Sequence, residues 1–369
     1  MRKAIGHLFF PPSASKEHFH AIDLLRGIAA LAVVLFHYLN FFIPAGQQEA
    51  VSNYRELEPF REVLWPAYGY GLWAVQLFWL ISGFVFAAVY VGTTATTRDF
   101  VVARIARLYP LHLLTLLVVA ALQFGRLWWI GNFQIFQFND IYHFVLNLLF
   151  ISSWGLERGP SFNGPIWSVS VEVAIYAVFW ITLKPLYRRG LVGPLSVACL
   201  FTLGSIFDLP GTVFWQCGFY FFTGSSIYIV FSILRGSPWL FFAAGLLSLG
   251  MAGMAALRIH FDHLTPIILP AILLLVCGAE AAGWIRTSRW TEIIANNTYG
   301  VYLWHIPIQL FLLLLLDGAI GNRSVVTAGW FLILYLILVI AVARISYLGI
   351  ELPARRAIRR LARFSGGRR

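Results

Sequence analysis

Ten apolar runs, each of about 17–25 residues, succeed one another along this chain, and their recurrence leaves it essentially one class of fold. Backbone groups inside lipid have to be satisfied within their own segment, so a run that spans roughly 30 Å of hydrocarbon is read as an α-helix. The runs are approximately Ile22–Tyr38, Tyr68–Val91, Leu108–Ile130, Pro165–Leu183, Leu191–Phe207, Thr212–Leu234, Trp239–Leu257, Thr265–Trp284, Asn297–Leu316 and Val325–Gly349. Charged residues make up 12% of the chain, about half the share of a soluble domain. The predicted fold is all-α, a polytopic membrane helical bundle with about ten transmembrane helices. It forms a single membrane domain over residues 1–369, with a cytoplasmic N-terminal segment at 1–20 and a basic cytoplasmic tail at 350–369. A further apolar stretch, Ile141–Trp154, has only about 14 residues and is expected to be re-entrant or interfacial.

The net charge of +11 reads as a topology signal, because the basic residues sit beside the apolar runs and form no domain of their own. With the N-terminus cytoplasmic, that side receives Arg2, Lys3, Lys16, the loop from Arg98 to Arg107, Lys184–Arg189, Arg235, Arg286, Arg289 and the tail. The other side keeps mainly Arg55, Arg61, Arg126, Arg158, Arg258 and Arg323. This asymmetry predicts a multi-pass protein with both termini cytoplasmic. Nucleic acid is not an expected partner. Cys199, Cys217 and Cys277 stand alone in separate apolar runs, which argues against a disulfide framework or a zinc site.

Ionisable groups inside membranes usually mark function. Arg26 and His37 share the first run at a spacing of eleven residues, close to three whole helical turns. Both therefore leave nearly the same face, with an axial separation of roughly 16 Å. Glu172, in the run Trp167–Glu172, is expected at the same depth as His37, each roughly 9 Å below the outer surface. An imidazole and a carboxylate at one depth suggest a general base with an orienting partner. The bland alternative is a hydrogen bond between packed helices. Arg104 and Arg107 share a face if their helix begins before Arg104, and with Arg26 they suit phosphate recognition through bidentate bonds. The alternative there is ordinary positive-inside charge. Trp167, Ser168, Ser170, Tyr302 and His305 are candidate substrate-lining residues. His112 is expected to pair with backbone, and Glu351 with a cytoplasmic arginine.

The residues also resemble a known family. Arg26 and His37 in LRGIAALAVVLFH are similar to the signature of the acyltransferase 3 family of membrane acyltransferases. So are FWLISGFVF at Phe78–Phe86, the run from Arg104 to Pro110, WSVSVE at Trp167–Glu172, NNTYGVYLWH at Asn296–His305 and YLGIELP at Tyr347–Pro353. They occur in the family's order over nearly the whole chain, and the length resembles that of the stand-alone members. The resemblance implies transfer of an acyl group, commonly acetyl, from acyl-CoA to a hydroxyl of a surface or exported carbohydrate such as lipopolysaccharide or exopolysaccharide. It implies an inner-membrane location and no permanently bound cofactor, with acyl-CoA as donor substrate. His37 would then be the catalytic base or, in a variant left open, the carrier of the acyl group. Arg26, Arg104 and Arg107 would hold the CoA phosphates. The alternative from another class is a proton-coupled transporter or flippase using the buried Arg26, His37 and Glu172 as a relay.

Overall fold

The computed structural model describes residues 18–285 and 288–364. The expected N-terminal segment up to residue 17, with Arg2, Lys3 and Lys16, lies outside the described residues, as do Arg286 and the last five residues of the tail. The chain is an all-α polytopic bundle. Among the described residues, nine helices are long and apolar enough to cross a membrane. In chain order the helices are α1 (His20–Phe36, running on as a 3-10 turn to Phe42), α2 (Tyr54–Leu57), α3 (Arg61–Tyr70), α4 (Trp73–Tyr90) and α5 (Thr97–Ile130). Then come α6 (Ile141–Leu148), α7 (Ile166–Tyr187), α8 (Val192–Ile206), α9 (Thr212–Leu234), α10 (Pro238–Ala255) and α11 (Thr265–Ala281). The last three are α12 (Arg289–Leu315, ending in a π turn to Ile320), α13 (Gly329–Ser346, ending in a π turn to Glu351) and α14 (Leu352–Phe364).

Three boundaries differ from the sequence expectation. The fifth expected span forms only the 15-residue α8, about 22 Å long against roughly 30 Å of hydrocarbon. The loop expected to carry Arg98, Arg104 and Arg107 is instead the first part of α5, a 34-residue helix. Its start is fixed by a capping box: the Thr96 hydroxyl accepts from the Asp99 amide at 3.2 Å, and the Asp99 carboxylate accepts from the Thr96 amide at 3.1 Å. The tail expected after Gly349 continues the last span as helix, through the π turn into α14. Hydropathy stops where charge begins, whereas a helix stops only where its hydrogen-bond ladder does. The short stretch at 141–154 forms only the eight-residue α6. Asp140 caps it, and the amide and ring of His143 hold the Asp140 carboxyl below the usual carboxylate range.

The residues fall into two compact units. The first comprises 18–29, Trp73–Ala95 and Val171–Ala295. Its centre is the crossing of α4 and α9, where small residues let two backbones meet. A Cβ at Gly83 would collide with the Phe221 carbonyl, and one at Gly224 with the Leu80 carbonyl. The Ser225 hydroxyl donates to the Gly83 carbonyl at 2.9 Å across the same crossing. Phe86 stacks on Tyr176 at 4.3 Å and meets Phe221 edge-on, filling the space beside it.

The second unit comprises Ala30–Leu72, Thr96–Ser170 and 296–364. Here polar side chains tie the elements together. Asp317 accepts from Arg126 at 2.6 Å and from Arg323 at both carboxylate oxygens. Arg323 in turn donates to the Phe41 and Ile43 carbonyls, and Gln134 donates to Ile43 at 3.0 Å. Gln123 closes the network by bonding the Gln134 main chain through both ends of its amide.

Candidate functional site

The candidate site in the second unit starts where α1 tightens. At His37 the helix passes from α to 3-10 geometry, and there the His37 carbonyl accepts from the Gln309 amide at 2.8 Å. The other end of that amide accepts from Asn40 at 3.0 Å, and the Tyr38 hydroxyl donates to the Val326 carbonyl at 2.7 Å. The turn that carries His37 is thus fixed on several sides. The ring itself is oriented by one bond, from Nδ1 to the Val33 carbonyl at 2.9 Å. A carbonyl can only accept, so Nδ1 carries the proton and Nε2 keeps its lone pair. His37 is half-buried and therefore reachable by a small group.

Helix α12 lays one buried face along this site. Tyr302, His305 and Gln309 stand at i, i+3 and i+7, which places them on one stripe. The ring of His305 lies 5.0 Å from that of His37 and 6.0 Å from that of Tyr302. His305 leans toward the Val301 and Tyr302 carbonyls, yet among the described residues neither ring nitrogen makes an aligned hydrogen bond. The Tyr302 hydroxyl meets the Ser168 hydroxyl at 2.7 Å and the Pro165 carbonyl at 2.8 Å, locking α12 to the start of α7. Asn163 adds a bond to the Leu303 carbonyl at 3.0 Å.

The structure therefore brings His37, His305, Tyr302 and Ser168 into one chain of neighbours. Ser170 is placed differently: its hydroxyl donates to the Phe150 carbonyl and accepts from the Ser153 amide, so it braces the loop after α6. Trp167 is half-buried at the start of α7. Glu172 is buried on α7 and belongs to the first unit. His112 bonds the Asn147 carbonyl at 2.8 Å, as its sequence context suggests. Gln309 and Asn40 escaped the sequence reading, although an amide inside an apolar run is itself a signal, since an unpaired amide in hydrocarbon is costly.

The basic candidates lie elsewhere. Arg104 and Arg107 sit one turn apart in the first third of α5, which satisfies the condition for a shared face. Arg107 lies 3.9 Å from the Glu351 carboxylate and stacks over the Tyr299 ring at 5.6 Å. Arg26 belongs to the first unit, where it pairs with Asp23 at 3.5 Å.

An R-x10-H pair on a first membrane helix, a paired arginine face and a histidine-bearing stripe on a late helix together define a class of membrane protein. The chain belongs to the acyltransferase 3 family: the family's model, described as an acyltransferase domain, matches residues 19–348. It is similar to acyltransferase MdmB of Streptomyces mycarofaciens, 32% identical over 179 residues, 45% of this chain and 38% of that protein. YrhL of Bacillus subtilis (strain 168), named provisionally as a peptidoglycan O-acetyltransferase, is 22% identical over 389 residues, covering 90% of this chain and 54% of its own length. The exopolysaccharide production protein ExoZ of Rhizobium meliloti (strain 1021) is 26% identical over 251 residues, 64% of this chain and 75% of that protein. The match thus spans about half, or less, of the first two relatives. No solved structure matches the chain.

Proposed function

We propose that this protein is a membrane O-acyltransferase that moves an acyl group, acetyl by family resemblance, from cytoplasmic acyl-CoA to a hydroxyl of a surface or exported carbohydrate. Family membership supports the chemistry, and the names of YrhL and ExoZ support a polysaccharide acceptor. The observation that carries the reading is His37, whose Nδ1 is occupied by Val33 and whose Nε2 is left as a base among buried polar side chains. In this mechanism Nε2 takes the proton of the acceptor hydroxyl as that oxygen attacks the thioester carbonyl. The C–O bond forms, the C–S bond breaks, and the CoA thiolate leaves and is reprotonated from His37. Apolar helix surfaces keep water from the thioester. Arg104 and Arg107 hold the donor's phosphates, and Arg26 adds positive charge at the cytoplasmic end of α1. The test is direct: purified protein given acetyl-CoA and an O-antigen or exopolysaccharide acceptor should release free CoA and add the acyl mass to the glycan. Absence of both products would overturn the reading.

The proposed topology has both termini on the cytoplasmic face of the inner membrane, with α8 as a tenth, short crossing. The basic-loop asymmetry motivates it. A cysteine placed at Arg188 should be labelled only from the cytoplasmic side, and labelling from outside would contradict the model.

A further inference from the structure

We propose that His305 is the second member of a two-histidine relay: it takes the acceptor's proton from His37 and passes it to the leaving sulfur. The inference rests on the acyl-transfer reading above, in which His37 is the base. Among the described residues, the second unit buries His112, His143 and His305 completely, and they differ in what they bond. His112 meets the Asn147 carbonyl at 2.8 Å. His143 uses both nitrogens, Nδ1 with the Asp140 carboxylate and Nε2 with the Arg158 amide. Each of those rings ties separate stretches of chain together. His305 does not: neither of its nitrogens makes an aligned hydrogen bond among the described residues. A phenylalanine would fill the same place without polar atoms left unmatched in hydrocarbon, so packing alone gives no reason for an imidazole there.

What the ring does have beside it is His37. The two centroids are 5.0 Å apart and the planes are tilted by 49°, so the facing edges lie closer still. Nδ1 of His37 bonds the Val33 carbonyl, four residues back on its own helix. His305 leans the same way, toward the carbonyls of Val301 and Tyr302. Nδ1 is the ring nitrogen nearer the backbone and therefore the one that faces them. In both rings the Nδ1–H points back along its helix, and Nε2 is the basic end. The spacing is held from two sides. Gln309, one turn after His305, donates to the His37 carbonyl at 2.8 Å. Tyr302, one turn before it, is locked to Ser168 and Pro165.

This pair gives the proton a complete route. As the acceptor oxygen attacks the thioester carbon, its proton moves to Nε2 of His37 and the C–O bond forms. The C–S bond breaks, and sulfur keeps the electron pair. His37 then gives the proton to Nε2 of His305, which gives it to the thiolate. CoA leaves as the thiol, both rings return to neutral, and no further reactant is consumed. Two imidazolium rings this close would repel, so the pair carries one added proton at a time. A base seated at the attacking oxygen is not seated at the sulfur, and the second ring spans that difference.

The test uses the full-length purified protein with acetyl-CoA and an exopolysaccharide acceptor, read as free CoA released. His305→Gln hydrogen-bonds but carries no proton; it should lower kcat by about 10²-fold, with KM for both substrates and thermal unfolding as in wild type. In a His37→Ala background the same change should cost nothing more, because a relay without its first member carries nothing. Added imidazole should restore part of the rate of His305→Ala, and pyrrole, a ring of like size with no basic nitrogen, should not. Near wild-type turnover by His305→Gln would overturn the relay. So would equal rescue by pyrrole, or a second loss of similar size on top of His37→Ala. In each of those cases wild-type activity leaves the acyl-transfer reading standing. Wild-type protein that releases no CoA ends that reading, and the relay with it.

Discussion

The two units bury very different side chains. Among the described residues, the first buries Glu172, Ser225, Ser226, Thr265 and Thr291 as its polar set, and closes its helices through glycine contacts and aromatic rings. The second buries His112, Gln123, Arg126, Gln134, Asn147, His305, Gln309 and Glu351, among others, and closes its helices through hydrogen bonds. In hydrocarbon, van der Waals fit between small residues is sufficient to pair helices, whereas each buried amide or charge needs a matched partner. A unit that carries so many polar groups bears that cost for a reason beyond packing. The proposed function places the chemistry in the second unit, and the first closes on small residues and aromatic rings.

The strongest way to break this comparison is in catalysis. His37→Ala, in the second unit, should lower the acyl-transfer rate by about 10²–10⁴ while leaving donor affinity close to wild type. Glu172→Gln, in the first, should cost less, because it removes a charge and no group that exchanges a proton in the proposed mechanism. A rate loss from Glu172→Gln as large as that from His37→Ala would put the chemistry in both units and end the contrast. The next test is stability. Asp317→Ala strands the buried Arg126 together with Arg323 and should destabilise the protein by about 3–5 kcal/mol, measured by thermal or denaturant unfolding in detergent. Gly224→Ala forces α4 and α9 apart and should cost about 1–3 kcal/mol in the same assay. The reverse order would mean that the polar network is less important to the fold than the glycine crossing.

Much of the architecture was legible in the sequence. Long apolar runs can do little else but form helices, so the all-α class and most spans followed from length and composition. Arg26 and His37 stood out because a charged or titratable group in such a run is rare, and Arg104 and Arg107 stood out by spacing. The helix ends were less legible. The start of α5 depends on a capping box, and the tail depends on an uninterrupted hydrogen-bond ladder; neither registers in hydropathy.

By itself the sequence determined that this is a polytopic helical protein of the acyltransferase 3 family, because hydrocarbon permits so few solutions and the motifs fall in the family's order. Only the tertiary structure decided the neighbours. Tyr302, His305 and Gln309 lie more than 250 residues from His37, and no local rule links them to it; the packing of α12 beside the 3-10 turn does. Helical periodicity fixes which face a side chain leaves, but only the packing of one helix on another decides what that face meets.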